Sequence, residues 1–234
     1  VKVVEVPPGP PVMSTLVAEI YGPDYKTQME IADKVKGIFA KTDNVVDVDW
    51  SVEDDQPEYK FTVNKDKAMK AGIPSQQVVN TLHGILSGMP VGVYHQPNVE
   101  NQIKVNLQLP ESEKSDVNNV LNMKVMGQQG MSASLSDIID VSKGTKDKSI
   151  FRKNQQRVVY VTAEMAGSLE SPIYAINSIS EQLPKIKLPA GYSLNENYKE
   201  QPKLEKDYTL KWDGEWKITY EVFRDLGIAF LFVL

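Results

Sequence analysis

The stretch LVAEIYGPDYKTQMEIADKVKGIFAKTDNVVDVDWSV, Leu16 to Val52, decides the fold. Leu16–Tyr21 reads as a strand closed by the turn signal Gly22-Pro23-Asp24. Ile31, Val35, Ile38 and Phe39 then recur at helical spacing through Thr27–Lys41, and Val45–Val52 returns as a strand. The three together make one β-α-β unit. A single such unit leaves one face of its strands uncovered, so units of this kind must pair.

The same pattern recurs at 59–95 and 157–198. Tyr59, Phe61 and Val63 alternate with Lys60 and Thr62, as a half-buried strand does. Ser75 can cap a helix carrying Val78, Val79, Leu82, Ile85 and Leu86, which Gly84, Gly88 and Pro90 end before a short strand at Val91–His95. In the third copy Arg157–Thr162 is a β run broken by Gly167, and Ser171-Pro172 opens a helix along Ile176, Ile179 and Leu183. Pro189-Ala190-Gly191 turns into a strand at Tyr192–Tyr198. The region 96–148 separates the second and third copies and has its own alternating strand, Ile103–Leu109, a short helix near Asp116–Asn122 and the run LSDIIDVSKG. On this reading 59–63 and 157–162 share one sheet, and the unit at 16–52 lacks a partner upstream. PPGPP at 7–11 is an extended connector, and the charged stretch Lys199–Lys211 a linker.

At the other end, Trp212 to Leu234 reads WDGEWKITYEVFRDLGIAFLFVL. Lys217, Glu221, Arg224 and Asp225 share one arc of a helix, and from Leu226 onward no charge interrupts the run. Such a run is shorter than the roughly 20 residues a bilayer core requires. Trp212, Trp216 and Tyr220 precede it as a headgroup-level aromatic belt would. The expectation is a membrane helix that begins here and continues past the last residue.

Composition narrows the classes. Over 234 residues, 41% hydrophobic and 24% charged are ordinary globular values, with length for one large or two small domains. A net charge of −5 argues against nucleic acid and against an anionic membrane surface. With no cysteine there is neither disulfide nor thiol chemistry. The N-terminus lacks the basic and apolar regions of a signal peptide. The carboxylates Glu53, Asp54, Asp55 and Glu58 lack calcium-loop spacing and read as a solvated turn. His83 and His95 lack ligand spacing, and no G-x-S-x-G or S-x-x-K motif occurs. Of eight methionines, Met123, Met126 and Met131 lie close together, a pattern that soft-metal ligation and core filling share. The sequence therefore calls for no catalytic residue, metal or cofactor.

The run LSDIIDVSKGTKDKSIFRKNQQRVVYVTAEMAG, Leu135–Gly167, resembles the second periplasmic loop of resistance-nodulation-division (RND) efflux transporters. Leu135, Asp137, Ile138 and Val141 match its L-x-D-[IV]-x-x-[IV] element. Arg152, Asn154, Arg157 and Val161 match the R-x-[DN]-x-x-R-x-x-x-[VI] strand that follows. Tyr59–Leu82 is similar to the family's strand and D-x-x-K-A-x-x-x-G segment. The resemblance implies an α+β fold of ferredoxin-like β-α-β porter subdomains, with a docking subdomain inserted and a transmembrane helix beginning at the end. It divides the chain into half of a porter subdomain at 12–57 and a second porter subdomain at 58–95 and 149–199. The docking insert would be 96–148, a linker 200–215, and an amphipathic lead into the membrane 216–234. The implied function is the periplasmic portion of a proton-driven, trimeric inner-membrane exporter, working with a periplasmic adaptor, an outer-membrane channel and the lipid bilayer on a small-molecule substrate. Ala18, Tyr59 and Phe61 fall on strands the family uses along its substrate path. Ala18 stands where drug-exporting members carry an aromatic residue. Trp212, Trp216 and Tyr220 would mark the membrane interface. The alternative is a soluble extracytoplasmic ligand-binding module of the same layers.

Overall fold

The computed structural model describes residues 12–127, 130–168, 171–189, 191–202 and 206–233. The connector expected at 7–11 and Ala190 of the turn at 189–191 lie outside them. The chain forms two compact units: residues 1–54 with 147–234, and residues 55–146.

In chain order, the first unit opens with β1 (Leu16–Tyr21), α1 (Tyr25–Phe39) and β2 (Val45–Trp50). Asp24 caps α1, its carboxylate accepting from the Thr27 N–H at 2.8 Å. Ile31, Val35 and Phe39, at the expected spacing, are all buried.

The second unit follows: β3 (Pro57–Val63), α2 (Lys65–Lys70), α3 (Ser75–Ser87), β4 (Met89–Tyr94) and β5 (Ile103–Leu107). Then come α4 (Glu111–Lys114), α5 (Val117–Leu121), β6 (Lys124–Met126), β7 (Ser132–Ser134), α6 (Leu135–Ile138) and β8 (Ile139–Thr145). Ala68, Ile73, Val78, Leu82, Val120, Leu135 and Ile138 belong to its small core. Its described strands pair two by two, β3 with β8, β4 with β5 and β6 with β7. Every residue of the β4 and β5 strands is exposed, including Val91, Val105 and Leu107.

The chain then re-enters the first unit through the hairpin β9 (Arg152–Lys153) and β10 (Gln156–Arg157), followed by β11 (Val159–Met165) and α7 (Pro172–Ser180). It ends with β12 (Leu194–Asn197), β13 (Tyr208–Gly214) and α8 (Glu215–Val233). The five strands order as β12-β13-β1-β11-β2. β11 runs antiparallel between β1 and β2, and β13 antiparallel to β1 and parallel to β12. Leu16, Ala18, Ile20, Val159, Val161, Leu210 and Trp212 meet α1 and α7 in one core.

Three expectations are corrected here. The run 59–63 does not share a sheet with 157–162: β3 pairs with β8, whereas β11 lies between β1 and β2. The partner of the unit at 16–52 is therefore the copy at 157–198, and the stretch 59–95 belongs to the inserted unit. The reason is that β11 fills the slot that β1-α1-β2 leaves between its two strands. Insertion at the intervening loop costs only the logarithm of its length. Glu53 and Ser149 tie the two chain crossings together, the Ser149 hydroxyl donating to the Glu53 carboxylate at 2.8 Å. Finally, 200–215 is not all linker. Tyr208–Gly214 is the second strand of the main sheet, its Tyr208, Leu210 and Trp212 pointing into the core.

Candidate functional site

The helix-covered face of the main sheet is apolar, and the opposite face carries charge. Along β1 the residues alternate, Leu16, Ala18 and Ile20 toward the core and Val17, Glu19 and Tyr21 away from it. Register places Tyr160 of β11 on one side of Glu19 and Lys211 of β13 on the other. Glu19 is fully buried and Lys211 is 3% exposed. Two buried charges at one level of a sheet require neutralisation.

They obtain it from each other and from two neighbours. The Lys211 ammonium donates to Glu19 Oε2 at 2.8 Å and reaches Asp213 Oδ2 at 3.4 Å. Lys153, on the β9–β10 hairpin, bridges Glu19 Oε1 and Asp213 Oδ2. The Tyr21 hydroxyl donates to Glu19 Oε2 at 2.8 Å, and the Gly214 N–H to Asp213 Oδ1 at 3.0 Å. Two ammonium groups and two carboxylates thus form a closed network.

The electrostatics follow from burial and pairing. Burial opposes ionisation of Asp213, but the hydrogen bond from Lys153 and the charges of both ammonium groups outweigh it, leaving its carboxyl well below the usual range. Burial works against the Lys153 charge as well, and hydrogen bonds to Asp213 and Glu19 raise it above the ordinary lysine value. Burial first, then the Glu19 charge, push the phenols of Tyr21 and Tyr160 upward.

Above this floor lies a cavity of about 320 Å³. Glu19, Lys153, Tyr160 and Asp213 form its polar wall, Val12, Met13, Val17 and Ile218 its apolar wall, and Lys217 of α8 also lines it. Among the described residues of its wall there is no serine, threonine or cysteine. Among the described residues no cluster of His, Cys, Asp and Glu could hold a metal ion.

The six residues singled out from the sequence do not converge here. Ala18 is fully buried, paired with Val161 on one side and Trp212 on the other. Tyr59 and Phe61 are on β3 of the other unit, Tyr59 beneath the Lys143 ammonium and Phe61 packed on that unit's core. Trp212 does not belong to an interfacial belt: it is buried, stacked 5.9 Å from the Phe39 ring, and its indole N–H donates to Glu196 at 2.6 Å. Trp216 packs partly against the same core, and Tyr220 lies 6.2 Å from it, with the Lys199 ammonium 4.0 Å above the Tyr220 ring. The charged residues of the network are not among those six; their signals in the sequence are a glutamate inside LVAEIY and the alternation Lys211-Trp212-Asp213.

Comparison with known proteins decides the family. The model of the AcrB/AcrD/AcrF family matches residues 9–207. The chain belongs to this family of RND transporters. An uncharacterized transporter of Haemophilus influenzae is 26% identical over 188 residues, covering 80% of this chain and 17% of the relative. Two crystal forms of a heavy metal efflux pump superpose with a TM-score of 0.69 at 16% identity, over 94% of this chain and 21% of theirs. At that identity the likeness shows the α+β fold. The chain thus spans about a fifth of the length of the proteins it matches. The charged network and its cavity lie within the matched segment except for the residues past 207, Lys211 to Ile218.

Proposed function

We propose that the chain is the periplasmic portion of a proton-driven RND exporter of the bacterial inner membrane, with the charged face of its main sheet bordering the substrate path. The observation that carries this reading is the family match along 9–207, on a sheet whose strand β13 runs without a break into α8. The interleaving of β1-α1-β2 with β11-α7-β12 is the pairing a ferredoxin-like porter subdomain requires, with β13 added between β12 and β1. Residues 12–54 and 147–214 then make one porter subdomain, and 55–146 the docking insert. No helix of the described residues is long and apolar enough to cross a membrane. The far end of α8 nevertheless exposes Phe223, Leu226, Ile228, Phe230 and Leu231, and we assign it to the start of a membrane helix, with Trp216 and Tyr220 at the interface. In the second unit the exposed apolar residues of β4 and β5 are surface that an assembly would cover, by a neighbouring copy in a homotrimer, a periplasmic adaptor or an outer-membrane channel.

The test is export by the full-length protein in cells stripped of other pumps. Energised cells should accumulate less of an amphiphilic dye than cells treated with a protonophore, and Lys217→Glu should reduce the difference severalfold at equal expression. Equal accumulation with and without the protonophore, while the protein sits in the inner membrane, would overturn proton-driven export.

A further inference from the structure

Donors outnumber acceptors in the hydrogen-bonding capacity left over in the cavity. Each carboxylate of its wall has three of its roughly four acceptor sites filled: Glu19 Oε1 by Lys153 and Oε2 by Lys211 and Tyr21, Asp213 Oδ2 by both lysines and Oδ1 by the Gly214 N–H. The donors are not exhausted. A lysine ammonium has three protons, and Lys153 commits two of them. Among the described residues, neither the Tyr160 hydroxyl nor the Lys217 ammonium has a hydrogen-bond partner, and both line the cavity. The charges lean the same way: among the described residues the wall carries Lys153 and Lys217 with Glu19 and Asp213, and Lys211 beneath pairs with those same two carboxylates.

The ligand that matches this excess of donors supplies acceptors. A cation would meet carboxylates that are already neutralised and would face a surplus ammonium. A neutral apolar molecule would leave three donors unsatisfied on one side of it, at the desolvation cost such groups carry. We propose that the cavity selects carboxylate-bearing amphiphiles, the head group received by Lys153, Lys217 and Tyr160 and the apolar part lying along Met13, Val17 and Ile218. The donors persist at neutral pH, because burial and Glu19 keep the Tyr160 phenol protonated and the carboxylates keep Lys153 charged. This inference rests on the reading that the sheet's charged face borders the substrate path, and it names the class of molecule that the path takes there.

The experiment titrates the 234-residue chain with dodecanoate, dodecanol and dodecyltrimethylammonium at equal concentrations below micelle formation. Binding is read on the methyl NMR signals of Met13 and Val17, so that adsorption to the apolar end of α8 does not count. Dodecanoate should shift both signals saturably and the other two should not. Lys217→Gln should weaken it about tenfold and Tyr160→Phe severalfold, as loss of a charge-assisted and an ordinary hydrogen bond implies. Both substitutions spare the buried network and leave the fold intact. Equal shifts from all three amphiphiles, or dodecanoate affinity unchanged by Lys217→Gln, would overturn the anion selectivity while leaving the substrate-path reading in place. No shift with any of the three would overturn both.

Discussion

Glu19 is the residue on which the main sheet's charged face depends. It is fully buried and receives two ammonium groups and a phenol. A buried ion pair adds little net stability, because desolvation nearly cancels attraction, but removing one partner strands the other. Glu19→Gln should accordingly destabilise the first unit by about 3–5 kcal/mol, since Lys211 would remain buried without its nearest counter-charge. Adding Lys211→Met should recover most of that loss. Urea unfolding of the single and double variants checks both, and a loss under about 1 kcal/mol for the single variant would mean that water reaches Lys211. Asp213 gives the pH dependence. Its carboxyl is held below the ordinary value, so its stabilisation is present above about pH 4 and is lost as pH falls through the lowered folded-state value. Asp213→Asn should flatten the acid limb of the stability profile below about pH 4 relative to the native chain. Denaturant midpoints taken between pH 2 and 6 would show it, and an unchanged acid limb would remove Asp213 from the account.

At the scale of elements, the junction of β13 with α8 is the tightest point. Gly214 has φ +84°, and a Cβ there would lie 2.7 Å from the Ser14 carbonyl oxygen and 2.9 Å from that of Thr15. Only glycine lets the strand turn straight into the helix while the Glu215 N–H donates to the Thr15 carbonyl at 3.2 Å. Gly214→Ala should cost about 1–3 kcal/mol, the range for a side chain forced into such a conformation. Gly37 is the control. It sits within α1, a Cβ there would meet nothing within 4 Å, and Gly37→Ala should stabilise by about 0.5–1 kcal/mol. Thermal melts of the two variants should move in opposite directions, and parallel shifts would contradict the strain assigned to the junction.

For the molecule as a whole, the second unit is an insertion between Asp54 and Asp147. The flanking strands β2 and β11 pair with each other, and the Ser149 N–H and hydroxyl both donate to Glu53 across the neck. Replacing 55–146 by a short Gly/Ser linker should therefore leave the first unit folded with a cooperative transition, because loop-closure cost changes by only about 0.6 kcal/mol per doubling of length. In the full-length protein the same change should abolish the assembly with outer components that we propose for that unit as the docking insert. Loss of all cooperative unfolding in the shortened chain would show that the five-stranded sheet depends on the insert.

Periodicity along the chain was enough to place β1, α1, β2, α3 and α7, because each buries a stripe at the spacing of its own backbone geometry. Motif spacing between Leu135 and Gly167 was enough to point to the family. Pairing was another matter. That β11 joins β1 and β2 rather than β3, and that a charged stretch near 208–214 supplies a strand beside β1, depend on which residues neutralise and cover each other across long separations. Lys211 reads as a solvated charge until Glu19, 192 residues away, is seen at 2.8 Å. Local sequence sets which face of an element is apolar. Only the folded sheet decides which charges meet on the other face, because their burial is tolerable solely in one another's company.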